Sequence, residues 1–168
     1  LSEPFVQGYL DCLCGVYSIV NADRIVNGST TAQSQELFNE IICYLSRKRM
    51  LKDVVTGGSD HRLMTRLVCD VAGDRLKRLA SCGSLEPLGK WWRFAKRFLE
   101  APNRAIILSV GGRISHLTVT DRITQKRIYL QDSNWRAVMK REYCATLENY
   151  NEGKLVIYPY QCWYLGNE

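Results

Sequence analysis

The chain carries only two histidines, His61 and His116, and none of its seven cysteines forms a CxxC pair. With so few imidazoles and no such spacing, neither a metal site nor a bound cofactor is expected. An odd number of thiols cannot pair completely, so a disulfide framework is a poor description. Cys43 and Cys69 fall inside amphipathic helical patterns, where a thiol behaves as a small core hydrophobe, and a reducing setting suits such a chain. The expected location is the cytoplasm or delivery into a reducing compartment. No apolar run approaches the ~18 residues that a membrane helix needs, and the opening LSEPFVQGYLDC lacks the basic-then-apolar order of a signal peptide. The chain also lacks a repeat, a low-complexity tract and a linker long enough to divide it, which predicts one domain over residues 1–168.

What is present is ordinary globular material, 46% hydrophobic and 24% charged across 168 residues. A chain of this length buries roughly 70% of its unfolded surface, enough for a core without covalent staples. Lys and Arg exceed Asp and Glu by 6, which favours acidic partners. The basic groups, Arg47-Lys48-Arg49 and Arg93 to Arg97 among them, are spread through helical stretches and read as solvated helix faces. A protein or peptide partner is expected, an acidic one favoured, and nucleic acid is not.

The front half reads as helical. Helices are predicted over Cys14 to Asn27, stopped by Asn27-Gly28, and over Ser34 to Met50, where Leu37, Ile41, Tyr44 and Leu45 recur on one face. A third is capped by Ser59 and carries Leu63, Leu67, Val68 and Val71, and Pro87 opens a fourth that ends by Pro102. Then the period changes. Arg104 to Val110, His116 to Ile123 and Arg127 to Gln131 read as strands, with a tight turn at Gly111-Gly112 and another at residues 124–126. Further strands are expected near Lys154 to Tyr158 and Gln161 to Leu165, interrupted by Pro159. Helices followed by antiparallel strands indicate an α+β domain with its helices packed on a sheet.

Three local features point to one chemistry. In Asp11-Cys12-Leu13-Cys14-Gly15-Val16-Tyr17-Ser18 a thiol stands at the start of a helix, where unpaired backbone N–H groups and the positive dipole end stabilise a thiolate. His116 opens a strand, from which an imidazole projects rigidly as a general base requires. Asp132 follows it by 16 residues across one turn, so the hairpin can set a carboxylate beside the ring. His61, near a helix start, reads as a solvated surface residue. Each feature alone has a structural explanation, as a buried small residue, a strand histidine or a turn cap; together they form a testable triad.

The order Gln, Cys at a helix start, strand His, strand Asp resembles the papain-like cysteine peptidase superfamily. The closest local likeness, over Gln7 to Ala22 and Ile106 to Trp135, is to the leader-processing peptidase domains of bacterial peptide exporters. That resemblance implies a papain-like fold with Cys14 as nucleophile and Cys12 as its competitor. It makes His116 the base, Asp132 the group orienting the ring, Gln7 the oxyanion-hole donor and Trp135 the aromatic that covers the His–acid bond. The chain has no GxxxxGKS or GxxxxGKT loop, so the exporters' leader substrate is not carried over. The implied activity is cleavage of a peptide or isopeptide bond. Transglutaminase-like acyl transfer or deamidation by the same triad is the alternative. So is an idle papain-like binding module presenting Trp91-Trp92, although adjacent helix positions point apart and at least one indole should pack inward.

Overall fold

The computed structural model describes residues 3–83, 86–134, 136–150 and 152–167. Helix α1, Cys14–Asn27, is sheathed on almost every side: Val16, Ile19, Val20, Ala22 and Val26 are all buried. It ends where Gly28 takes the left-handed conformation at φ 65° and returns its N–H to the Arg24 carbonyl. Helix α2, Thr31–Arg47, starts earlier than the apolar pattern indicates, because Thr30 and Gln33 form a reciprocal capping box. Its Leu37, Ile41 and Leu45 make one buried stripe. Arg49, at φ 57°, breaks the helix before Met50, so α3, Leu51–Gly57, is a separate turn of helix.

The cap of α4, His61–Arg66, is Asp60 rather than Ser59, its carboxylate accepting the Leu63 N–H at 2.7 Å. The helix widens into a π turn over Leu67–Val71 and then gives way to strand β1, Lys77–Ala80, within the half that reads as helical. Helix α5, Leu88–Phe98, follows Pro87. Strands β2, Ala105–Gly112, β3, His116–Ile123, and β4, Arg127–Gln131, form a meander continued by β5, Val138–Lys140. The final strands are β6, Cys144–Ala145, β7, Leu155–Ile157, and β8, Trp163–Gly166. Gly111 and Gly112 do not make the expected turn. They remain paired with Val156 and Leu155, and the chain reverses at residues 113–115.

The sheet runs β1-β8-β2-β3-β4-β5, antiparallel throughout that path, while the short β6 pairs in parallel with β7. Strand β2 holds the centre. Its residues 105–107 pair with β8 and 110–112 with β7, so one edge of β2 is covered by two successive strands with the turn at Pro159–Gln161 between them. Alternation on β2 serves two cores: Ala105 and Ile107 join the core built on α1 to α4, whereas Ile106, Leu108 and Val110 join that of α5. The architecture is therefore α+β, with helices on both faces of an open sheet.

Two readings of single residues are corrected here. Cys43 and Cys69 are exposed, not core, and the buried thiols are Cys144 and Cys162. Trp91 and Trp92 are both buried, because the indole N–H of the first donates to the Tyr164 hydroxyl at 2.9 Å and that of the second to the Thr124 carbonyl at 2.7 Å. They offer no partner surface. No helix among the described residues is long and apolar enough to cross a membrane.

Candidate active site

The first residue of α1 is Cys14, and no side chain caps that helix. The N–H groups of the first turn are therefore not claimed by a capping oxygen. Burial of Val16 and Gly15 fixes the helix start against α4 and β3; a Cβ on Gly15 would lie 2.6 Å from the Met64 sulfur and 3.1 Å from Leu117. That close approach delivers the thiol to the beginning of β3, where His116 stands.

The Cys14 thiol and the His116 ring line the same cleft, close enough for the thiol to bear on the charge of the imidazole. On the other side of the ring, Nε2 meets Asp132 Oδ1 at 2.6 Å, which leaves Nδ1 as the nitrogen for the thiol. Asp132 is buried at the end of β4 and its second oxygen accepts the Arg136 N–H at 3.2 Å. Burial opposes charge on the imidazole, yet the Asp132 hydrogen bond and the adjacent Cys14 outweigh it, and the ring's pKa is raised from 6.5 to about 9. Burial likewise works against the Asp132 carboxylate, but the His116 hydrogen bond and charge prevail and hold its pKa below the usual carboxylate value. The ring is thus kept charged between two groups that are anionic when ionised.

Cys12 is placed differently. Its N–H donates to the Val55 carbonyl at 2.9 Å and its thiol to the Thr56 carbonyl at 3.4 Å, so it faces the end of α3. The structure brings Cys14, not Cys12, to the ring.

Gln7 reaches the same cleft from the N-terminal segment. Its N–H donates to the Ser133 carbonyl at 2.9 Å, and its side-chain oxygen accepts the Ser133 hydroxyl at 3.4 Å. With the amide oxygen occupied, the NH2 end is the group left to face the cleft. The segment itself is clamped by Asn21 of α1, whose side chain accepts the Phe5 N–H at 2.9 Å and donates to the Phe5 carbonyl at 3.0 Å. Asp11 closes the loop between Gln7 and Cys14, taking the N–H groups of Gly8 and Leu13. Trp135 lies outside the described residues.

Sequence reading missed Ser133 and Asn21. The signal for Asn21 was present: Cys14, Ser18 and Asn21 share one face of α1 at helical spacing, and a polar residue there, 2% exposed, needs a partner. His61 is a correction. It is half-buried, stacked on Trp163 at 4.9 Å, and lines the cleft opposite His116. Burial first and the nearby Arg78 second lower its pKa, against the pull of Asp60, which favours a neutral ring near pH 7.

The cleft encloses about 1170 Å3 between the helix-side loop Gly57 to His61 and the sheet-side residues from Ser109 to Leu117. Gly58, at φ 81°, is a position that few other residues could occupy. No group of three or more His, Cys, Asp or Glu among the described residues could hold a metal ion. Comparison with protein-family models, with curated proteins and with solved structures returned no match.

Proposed function

We propose that the chain is a papain-like thiol hydrolase that cleaves a peptide or isopeptide bond. The observation that carries the reading is the convergence of Cys14, His116 and Asp132 in one cleft, with Gln7 held beside them by Ser133. Cys14 Sγ attacks the substrate carbonyl carbon and a C–S bond forms. The amide of Gln7 and a first-turn N–H of α1 receive the oxyanion. Imidazolium His116 protonates the leaving amine as the C–N bond breaks, leaving a thioester on Cys14. The neutral ring then takes a proton from water. The resulting hydroxide attacks the thioester, the C–S bond breaks, and acid and thiol are released. Asp132 orients the ring throughout and stabilises its charged form. A reducing setting would preserve the thiol on which the cycle depends.

The test is covalent trapping by an electrophilic peptide, mapped by mass spectrometry. Label is expected on Cys14, retained in Cys12→Ala and abolished in Cys14→Ala. Label on Cys12 in the wild type would contradict the assignment. Product masses divide the outcomes of the same triad: hydrolysis adds water across a backbone bond, whereas deamidation or amine incorporation leaves the backbone whole.

A further inference from the structure

The three carboxylates lining the cleft are already engaged. Asp11 takes two backbone N–H groups, Asp60 caps α4 and Asp132 binds His116. The two arginines at the cleft's sheet side are not. Neither Arg113 nor Arg136 joins an ion pair among the described residues. Both side chains are exposed. The backbone of Arg136 is tied to the site, its N–H donating to Asp132, and the Arg113 guanidinium rests over Gly153, where an added Cβ would come within 2.8 Å of it.

Arg113, Ile114 and Arg136 also line a second groove of about 470 Å3, continued by Val138, Met139, Tyr143 and Leu155. One track thus passes from the triad, past two arginines without an ion-pair partner among the described residues, onto a largely apolar floor where Tyr143 stands 58% exposed and Lys140, itself paired with Glu142, lies 5.8 Å from the Tyr143 ring. An occupant must bring negative charge next to the reacting bond and an apolar side chain beyond it. Two guanidiniums beside one groove suit carboxylates in a fork geometry.

Resting on the hydrolase reading, we propose that the substrate is an acidic peptide segment. One or two Asp or Glu side chains lie against Arg113 and Arg136, and an aliphatic or aromatic residue further along seats against Tyr143. The pair is specificity-determining and takes no part in bond cleavage.

The experiment uses an epoxysuccinyl centre extended by three residues on both sides, so either direction along the cleft is covered. It is prepared with Glu, Gln or Lys at the second and third positions from the epoxide. The Glu probe should label Cys14 about tenfold faster than the Lys probe at low salt, with Gln between, and the ratio should shrink at 0.5 M salt. In Arg113→Gln/Arg136→Gln the ratio should fall to about one while Cys14 alkylation by iodoacetamide is unchanged. Equal labelling by Glu and Lys probes in the wild type, or a preference that survives the double substitution, overturns the proposal while the hydrolase reading stands. Suppression of Glu-probe labelling by a thymidine oligonucleotide, lost in the double substitution, would assign the pair to phosphate and also overturn it. Iodoacetamide reactivity at Cys14 with every peptide probe inert would sink the hydrolase reading itself, and this assignment with it.

Discussion

At the scale of residues, the site depends on groups whose second hydrogen bond fixes the first. Ser133 occupies the oxygen of the Gln7 amide, so the nitrogen must present its protons elsewhere. Ser133→Ala should therefore cost turnover without costing the thiol: the amide is freed to rotate, and kcat should fall about tenfold. If Gln7 donates to the oxyanion as proposed, Gln7→Ala should cost about 10²-fold or more in kcat. Iodoacetamide titration of Cys14 should not change in either variant. Equal kcat in wild type and Ser133→Ala would show that Ser133 does not position the amide. Asp132 acts one step further back, on the ring. Its replacement by Asn keeps the shape but removes the charge that helps hold His116 protonated, which should lower the imidazole pKa measured by NMR.

At the scale of elements, α1 performs two tasks from one face: Cys14 begins it, and Asn21 ties down the segment that carries Gln7. Removing the Asn21 side chain leaves the half-buried Phe5 N–H and carbonyl without that partner. Asn21→Ala should destabilise the fold by about 1–3 kcal/mol in urea unfolding and also depress kcat, because Gln7 loses its anchor. A stability loss with kcat intact would separate the clamp from catalysis. Helices α1, α2, α4 and α5 and strands β3 and β4 were legible because apolar period and turn chemistry agreed, most plainly in His116 to Ile123 and Arg127 to Gln131, which form strands over those bounds, whereas α3 was not foreseen. Where long-range pairing decides, sequence was silent. Strand β1 has only four residues and is strand because β8 offers it an edge. Gly111 and Gly112 look like a turn, yet both pair with β7, Gly112 at φ 86°. In the site, Cys14, His116 and Asp132 could be picked out because each residue type carries its chemistry in itself. Asn21 showed only as a polar residue on the Cys14 face of α1, without its partner, whereas Ser133 and the packing of half-buried His61 on Trp163 depend on contacts across the chain that no local pattern encodes.

At the scale of the whole molecule, the site's charges couple stability to pH. The folded state raises the His116 pKa from 6.5 to about 9, so its contribution is complete below pH 6.5 and is lost as the pH rises through 9. Asp132 works in the opposite sense. Its folded pKa is lowered from 3.8, so its contribution is present above that value and disappears as the pH falls below it. Buried Cys144 and Cys162, pushed up to about 11 and 12 by burial, add a further loss above pH 9, when the unfolded thiols ionise first. The difference in unfolding free energy between wild type and Asp132→Asn isolates the pair from those thiols. It should be largest between about pH 4 and 6.5 and decline on either side. A difference that does not vary with pH would mean that ring and acid do not share charge.

The thiol and the imidazole acting as one unit is the claim on which the rest stands, and the rate of iodoacetamide alkylation at Cys14 as a function of pH measures it most directly. At pH 6 an unassisted thiol, with a pKa near 8.5, is almost wholly protonated and slow. The account predicts that Cys14 reacts at pH 6 at least about tenfold faster than the exposed Cys43 and Cys69, and that His116→Ala removes the advantage. Alkylation of Cys14 that tracks those two thiols across the whole pH range, or that is indifferent to the loss of His116, would contradict it.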